Sequence, residues 1–429
     1  MKNLIVVFII GTLVSCYFFP FGLSFLSKLI NTKMILAMVG GILVFYEGIQ
    51  DKRISLPLKF LGGLGFAILF SLACFVSSDI NHTVDYSYAT YFISFFVWLG
   101  GAYVVCAAIR LFHGKTSFRL LTIYLTGVCV TQCILALLID RIRPFKILVN
   151  TYIVQGQDFV EKVDRLYGIG ASLDSAGVRF SIVLLMIMAL LSKDRTIRLN
   201  IKDSILLLFA FFVISVIGNM ISRTTSVGMI MGLVYFLFST GVFRALVKVS
   251  HIRLYFIFGA ILLIVVFISV YLYKHDNAFH QNIRFAFEGF FNWMDTGEWR
   301  TSSTDKLNNV MWIWPADTKS WIIGTGLFGN YVYSTDIGYC RFILYCGIVG
   351  FSLFASFFIY NSCLFCKLLP LYKGFFVGIL LLTFIVWLKV ATDLFLIYAL
   401  FYCMDLNIND NQSFNEENNE DSLLHSCYL

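Results

Sequence analysis

Residues 204–240 read SILLLFAFFVISVIGNMISRTTSVGMIMGLVYFLFST. Two apolar runs, each close to the roughly 20 residues needed to cross a bilayer, flank a polar pivot from Asn219 to Ser226 in which Arg223 is the lone charge. In lipid every backbone N–H and C=O must be satisfied within its own segment, so such runs are read as helices joined by a tight turn. The pattern extends over the whole chain. Of its 429 residues 59% are hydrophobic, 17% aromatic and only 13% charged, with 45 Phe, 5 Pro and a mean hydropathy of +0.82. A soluble domain carries about 25% charged residues, so this composition excludes one, together with a disordered chain and a secreted disulfide scaffold. The 32 Lys and Arg are scattered between apolar runs rather than clustered, which excludes a nucleic-acid partner and leaves the lipid bilayer.

The expected fold is an all-α polytopic membrane protein of about twelve transmembrane helices. They fall at 3–26, 34–49, 57–77, 86–109, 119–139, 176–192, 204–222, 224–243, 254–273, 339–364, 374–389 and 391–405. Lys389 and Asp393 interrupt the apolar run from Phe375 to Cys403, which is long for one crossing and short for two, so eleven spans are the alternative. One transmembrane domain, 1–405, carries two large loops at 140–175 and 274–338. The segment 406–429, with Asp410, Glu416, Glu417, Glu420 and Asp421, reads as an acidic disordered tail.

Cytoplasmic loops hold the excess of Lys and Arg. Fifteen lie in the even-numbered loops: Lys52, Arg53, Lys59, Arg110, Lys115, Arg119, Lys193, Arg195, Arg198, Lys202, Arg244, Lys248, Arg253, Lys367 and Lys373. The short odd loops hold three, Lys28, Lys33 and Arg223. The N-terminus and tail are therefore expected in the cytoplasm and both large loops outside. Leu13-Val14-Ser15-Cys16 loosely resembles a lipoprotein cleavage box, but the residues after it stay apolar, so it reads as part of the first span. Most of the eleven Cys sit inside spans as small apolar residues, and Cys363-Leu-Phe-Cys366 has neither a second pair nor a nearby His to make a metal site.

Charges held at membrane depth carry the functional information, because they persist only when paired or lining a wet cavity. Three stretches on the expected outer face stand out. The first runs from Arg165 through Gly168, Gly170, Asp174 and Gly177 to Arg179, where one Arg alone would read as a snorkelling anchor. The second is the pivot Ser222-Arg223-Thr-Thr-Ser226, whose hydroxyls cap a helix start and whose Arg suits an anion. The third is the 274–338 loop, with Arg284, Glu288, Arg300 and several Trp. It exits through Gly324-Thr-Gly326 and Thr335-Asp336-Ile-Gly-Tyr339-Cys-Arg341. Its aromatics suit either a membrane interface or the apolar face of a sugar ring.

In these three stretches, in Gly347-Ile-Val-Gly350 and in overall span layout, the sequence resembles the bacterial O-antigen and capsular polysaccharide polymerases of the Wzy type, in the superfamily that includes O-antigen ligases. The resemblance implies a polymerase and ligase branch architecture of the C-type glycosyltransferases, in the bacterial cytoplasmic membrane, with no metal and no cofactor. It implies transfer of a growing glycan from undecaprenyl diphosphate to a hydroxyl of another lipid-linked repeat unit at the outer face, with a chain-length regulator and a flippase as partners. Ligase relatives carry a candidate His base in the large outer loop. Here the Gly326–Tyr339 segment has Asp336 and no His, and His275 and His280 lie far upstream, which favours polymerase over ligase. Arg179 and Arg223 are then expected to clamp the diphosphate, because a planar guanidinium binds phosphate oxygens bidentately and stays charged. Arg165, Arg284 and Arg341 are the second candidates, Arg300 and Tyr339 contact the glycan, Asp336 is the base and Asp174 the reserve. A flippase or other transporter is the competing class, but the two halves show no self-similarity of the kind transporters have.

Overall fold

The computed structural model describes residues 2–27, 30–50, 58–156, 165–241, 249–329 and 332–405. Lys28, Lys52, Arg53, Arg244, Lys248, the side chain of Lys59 and the acidic segment 406–429 lie outside the described residues. The helices are α1 (Lys2–Phe18), α2 (Thr32–Gln50), α3 (Leu58–Ile80), α4 (Tyr91–His113), α5 (Phe118–Arg141), α6 (Arg143–Tyr152), α7 (Leu173–Lys193), α8 (Arg195–Leu199) and α9 (Ile201–Ile221). They continue with α10 (Thr225–Thr240), α11 (Val249–His275), α12 (Asn277–Ala286), α13 (Glu288–Thr296), α14 (Ser302–Lys306), α15 (Thr318–Ile323), α16 (Gly338–Leu368), α17 (Lys373–Trp387) and α18 (Phe395–Cys403). A two-residue antiparallel pairing, Gly22–Leu23 with Ile153–Val154, ties the α1–α2 loop to the end of α6.

Among the described residues nine helices are long and apolar enough to cross a membrane, so the chain is a multi-pass membrane protein. Two further apolar helices, Leu4–Phe18 and Thr225–Thr240, are shorter. The expected last span, 391–405, is not a full crossing helix. Residues 388–394 are non-helical, and α18 has nine residues, about 13 Å of rise. The chain nevertheless returns to the opposite end of the bundle, where Asp405 pairs with Arg110 at the end of α4 (3.0 Å).

Contacts between connections define two ends. At one, Arg110 holds Asp405, Arg119 reaches Thr196 and Asp203, and Arg253 donates to the Arg198 carbonyl. At the other, Arg141 holds Asp276, Arg223 holds Glu288, and the α3–α4 loop binds the 324–329 loop. The even-loop cations among the described residues thus collect at a basic end, and the large loops at its opposite.

Helix α7 is the hub. Every residue from Ala176 to Ser192 is buried except Arg179. Its closest packing is against α10, where a side chain at Gly177 would collide with the β-carbons of Ser222 and Thr224, and Ser181 donates to the Thr224 carbonyl (3.0 Å). Small residues let two helix backbones approach this way where no hydrophobic drive separates lipid from side chain. Helix α11, by contrast, exposes Phe256, Leu263 and Phe267, the surface expected of a helix against lipid.

The expected tenth span, 339–364, is corrected in one respect: α16 is bent. Gly347 adopts φ +65°, which a residue with a β-carbon rarely tolerates, and the helix turns sharply there. Phe342 and Phe354 come within 5.0 Å and Tyr339 and Phe351 within 5.6 Å, although a straight helix would separate each pair by about 18 Å. Trp387 fills the inside of the elbow against Phe342, Phe351 and Phe354. The crossing part of α16 therefore follows Gly347, and residues 338–346 lie aslant to it.

Candidate active site

Three segments converge on Asp174 at the loop-rich end. Asp174 lies in the first turn of α7, and its Oδ1 accepts hydrogen bonds from Thr224 Oγ1 (2.6 Å), Ser222 Oγ (3.1 Å) and Lys389 Nζ (2.7 Å). Lys389 also donates to Thr224 Oγ1 (3.0 Å). The pivot between α9 and α10 supplies the two hydroxyls, and the non-helical 388–394 segment supplies the cation. That segment has its peptide groups tied internally: Trp387 Nε1 donates to the Thr392 carbonyl and Asp393 Oδ1 accepts from the Phe395 amide. Irregular backbone at membrane depth is tolerated only where it is buried in protein or lines a wet cavity.

Arg223 points from the pivot to Glu288 on α13 and forms an ion pair with it, while its guanidinium lies 4.6 Å from the centre of the Phe285 ring. Arg165 lies 4.9 Å from the same ring. Phe285 thus serves both guanidinium groups, whose mutual repulsion is balanced by Asp174 and Glu288. Burial pulls the Arg165 guanidinium below its ordinary value, Asp174 opposes that and Arg223 reinforces it. Glu288 Oε1 is further fixed by the Ser302 amide (2.9 Å).

The expected Arg179–Arg223 clamp is not assembled. Arg179 points from a different face of α7, over Phe19 just after α1 (5.8 Å), and donates to the Ser175 carbonyl, while its buried Nε has no hydrogen-bond partner among the described residues. It lies within electrostatic reach of Asp393 and Lys33 instead. The cation that joins Arg223 around one site is Arg165. Arg341 donates to the Phe328 carbonyl (2.7 Å) and stacks on that ring (4.1 Å), pinning the 324–329 loop. Tyr339 Oη donates to the Phe384 carbonyl (2.9 Å), which fixes the slanted segment of α16 on α17. Arg284 pairs with Asp295, and Arg300 with Glu298 and Asp305, all on the exposed surface of the large loop.

Asp336 has no hydrogen-bond or ion-pair partner among the described residues. It lies two residues before Gly338, whose α-carbon packs so closely on Trp387 and Val390 that a side chain there would collide with their backbone. The backbone two residues after Asp336 is thus seated against the segment that carries Lys389. The Gly324-Thr-Gly326 motif has a structural part: Thr325 and Gly326 amides donate to the Leu344 and Tyr345 carbonyls just before the Gly347 elbow (2.7 and 3.0 Å).

Sequence reasoning placed Glu288 in the outer loop without a role, and did not find Lys389, Asp393, Lys33 or Phe285 as parts of this region. The signal for two of them was present, since Lys389 and Asp393 are opposite charges four residues apart inside an apolar run, and intramembrane ionisable groups mark function. Beyond Arg165 a cavity of about 140 Å³ opens between α5, α6 and α12. No protein-family model, no curated protein and no solved structure matches this chain.

Proposed function

We propose that this protein is a metal-independent polysaccharide polymerase that transfers a growing glycan from undecaprenyl diphosphate to a hydroxyl of another lipid-linked repeat unit. The observation that carries the reading is the gathering of Arg165, Arg223, Lys389, Asp174 and Glu288 at one end of an otherwise apolar bundle. In this reading the basic end, and the N-terminus with it, faces the cytoplasm of a bacterium, and the loop-rich end works at the outer face of the cytoplasmic membrane.

The acceptor hydroxyl oxygen attacks the anomeric carbon of the donor. The bond from that carbon to the diphosphate oxygen breaks, its electron pair leaves with the lipid diphosphate, and the hydroxyl proton passes to a carboxylate. Fixed guanidinium groups stabilise the charge that develops on the leaving group better than mobile water, and Arg165 and Arg223 flank one site for it. Glu288 is the resident counter-ion of Arg223 that the diphosphate replaces. Asp174 already accepts three side-chain hydrogen bonds, so it holds Lys389 and the pivot in place, and Asp336, with its oxygens unengaged among the described residues, is the proton acceptor.

The test uses cells that make the polymer. Arg223→Ala, correctly inserted, is expected to cut long-chain product about a hundredfold or more and to leave single repeat units on the outer surface. In purified reconstitution Asp336→Asn is expected to do the same. Normal long chains from both variants would end the polymerase reading. Long polymer left unattached on its carrier would identify a ligase, and single units retained inside a flippase.

A further inference from the structure

A second cluster of charge at membrane depth, around Asp393, has no role in the transfer just described. Four segments build it: Lys33 from the first turn of α2, Tyr91 from the start of α4, Arg179 from the second turn of α7, and Asp393 from the 388–394 segment. Its donors are uncommitted among the described residues. Lys33 Nζ lies over the Trp98 ring (4.2 Å) and makes no hydrogen bond or ion pair, the buried Arg179 Nε has no hydrogen-bond partner, and the buried Tyr91 hydroxyl lies beside Asp393 without a hydrogen bond. Asp393 Oδ1 accepts from the Phe395 amide. Two cations against one carboxylate leave positive charge unbalanced, and charge at this depth persists only when it is paired or lines a wet cavity. Lys33, Arg179 and Asp393 are each only partly buried, so the cluster is open to water and to a ligand.

A guanidinium, an ammonium and a hydroxyl around unbalanced positive charge suit a phosphate group, whose oxygens each accept from such donors. The place suits a lipid rather than a solute. Lys33, Tyr91 and Arg179 all lie within two turns of the loop-rich ends of their helices, and α2 exposes Met34, Met38, Ile42 and Phe45 along one face next to Lys33. An isoprenoid chain lying on that face brings its phosphate to Lys33. We propose that Lys33, Arg179 and Tyr91 bind the diphosphate of a second lipid-linked molecule, the acceptor, while Arg165 and Arg223 hold that of the donor. The inference rests on the proposed polymerase reading, in which both substrates carry a lipid diphosphate. Asp393 balances part of the charge when no ligand is bound. Lys389 borders the donor site and Asp393 this one, and four residues span at most about 14 Å, a length that a short oligosaccharide covers.

Binding to the full-length protein in phosphatidylcholine nanodiscs tests it without turnover, with farnesyl diphosphate as the probe and farnesol, inorganic pyrophosphate and phosphatidylglycerol as comparisons. The background is Arg223→Ala, which disables the proposed donor site. Farnesyl diphosphate is expected still to bind this chain saturably, and farnesol and pyrophosphate each to bind at least about tenfold more weakly. Adding Arg179→Met or Lys33→Gln is expected to weaken the probe at least about tenfold, the loss of one charge-assisted contact, and Lys33→Arg to retain it. Binding that both substitutions leave unchanged, or that is absent from the Arg223→Ala chain, would overturn the proposal. Pyrophosphate as tight as the probe would mark a free-phosphate site, phosphatidylglycerol that displaces the probe at equal concentration would mark a phospholipid headgroup site, and either overturns it too. Because no transfer is measured, the two readings fail separately: normal long chains from Arg223→Ala would end the polymerase reading while the probe still binds at Lys33 and Arg179.

Discussion

Two carboxylates near the loop-rich end, Asp174 and Asp393, are surrounded by cations in different ways. Asp174 draws three chain segments together, α7, the α9–α10 pivot and the 388–394 segment, through an ion pair and two hydroxyl donors at 2.6–3.1 Å. Asp393 caps the amide of Phe395, and the cations within its electrostatic reach, Lys33 and Arg179, form no ion pair with it among the described residues. Lys33 lies over the Trp98 ring (4.2 Å) and Arg179 over Phe19. The difference separates a fastened junction from a region where charge is tolerated with incomplete pairing. Lys389 and Asp393 stand four residues apart on the one non-helical segment that borders both.

The largest expected effect comes from breaking the fastened junction. Lys389→Met strands a carboxylate that is 28% exposed in its side chain, and an uncompensated half-buried charge costs about 3 kcal/mol. Thermal unfolding in detergent is expected to show that loss, and the double variant Lys389→Met with Asp174→Asn to recover most of it, because the stranded charge is then gone. If the double variant is as unstable as the single, the junction is held by packing and its contrast with the Asp393 region disappears.

Arg179→Met sharpens the same comparison with a smaller number. The Met stem keeps the packing on Phe19, and the change removes a buried Nε that has no partner among the described residues, so the expected change in stability is within about 1 kcal/mol of zero. A loss as large as that of Lys389→Met would mean that Arg179 is a full counter-ion of Asp393 and that the two regions are built alike.

These residues also mark how far the sequence could be read. Composition and run length located the long apolar helices among the described residues to within a few residues, because burial in lipid leaves the backbone no alternative to a helix. The failures lie where a helix is broken. Gly347 sits inside an apolar run that hydropathy treats as continuous, and only its positive φ, shared with Gly324 and Gly326 at the same elbow, turns α16 aside. The Asp174 junction joins positions 174, 222–224 and 389, and no local pattern announces which pivot a distant Lys will meet. Arg179 and Arg223 appeared equivalent because each is an Arg at an expected outer helix mouth, but the face of α7 on which Arg179 falls separates them.

The smallest effect concerns Asp85, a carboxylate fastened by backbone rather than by cations. Its Oδ2 accepts from the amides of Phe328 and Gly329 (2.6 Å each), and its Oδ1 from the amide and hydroxyl of Ser87. Burial works against the charge, but these donors outweigh it and hold the carboxyl below its ordinary 3.8. A depressed folded value means that the carboxylate stabilises the latch at every pH above 3.8 and that the contribution is lost only as pH falls below that through the folded value. Amide exchange at Phe328 and Gly329 is therefore expected to show the same protection factor near pH 7 and pH 5, once corrected for intrinsic rate. Asp85→Asn, which keeps an acceptor oxygen but loses the charge, is expected to lower that protection modestly at both pH values. A protection factor that already falls between pH 7 and pH 5 in the native chain would show that the latch depends on a group other than Asp85, and would place the 324–329 loop with the loosely paired Asp393 region rather than with the fastened Asp174 junction.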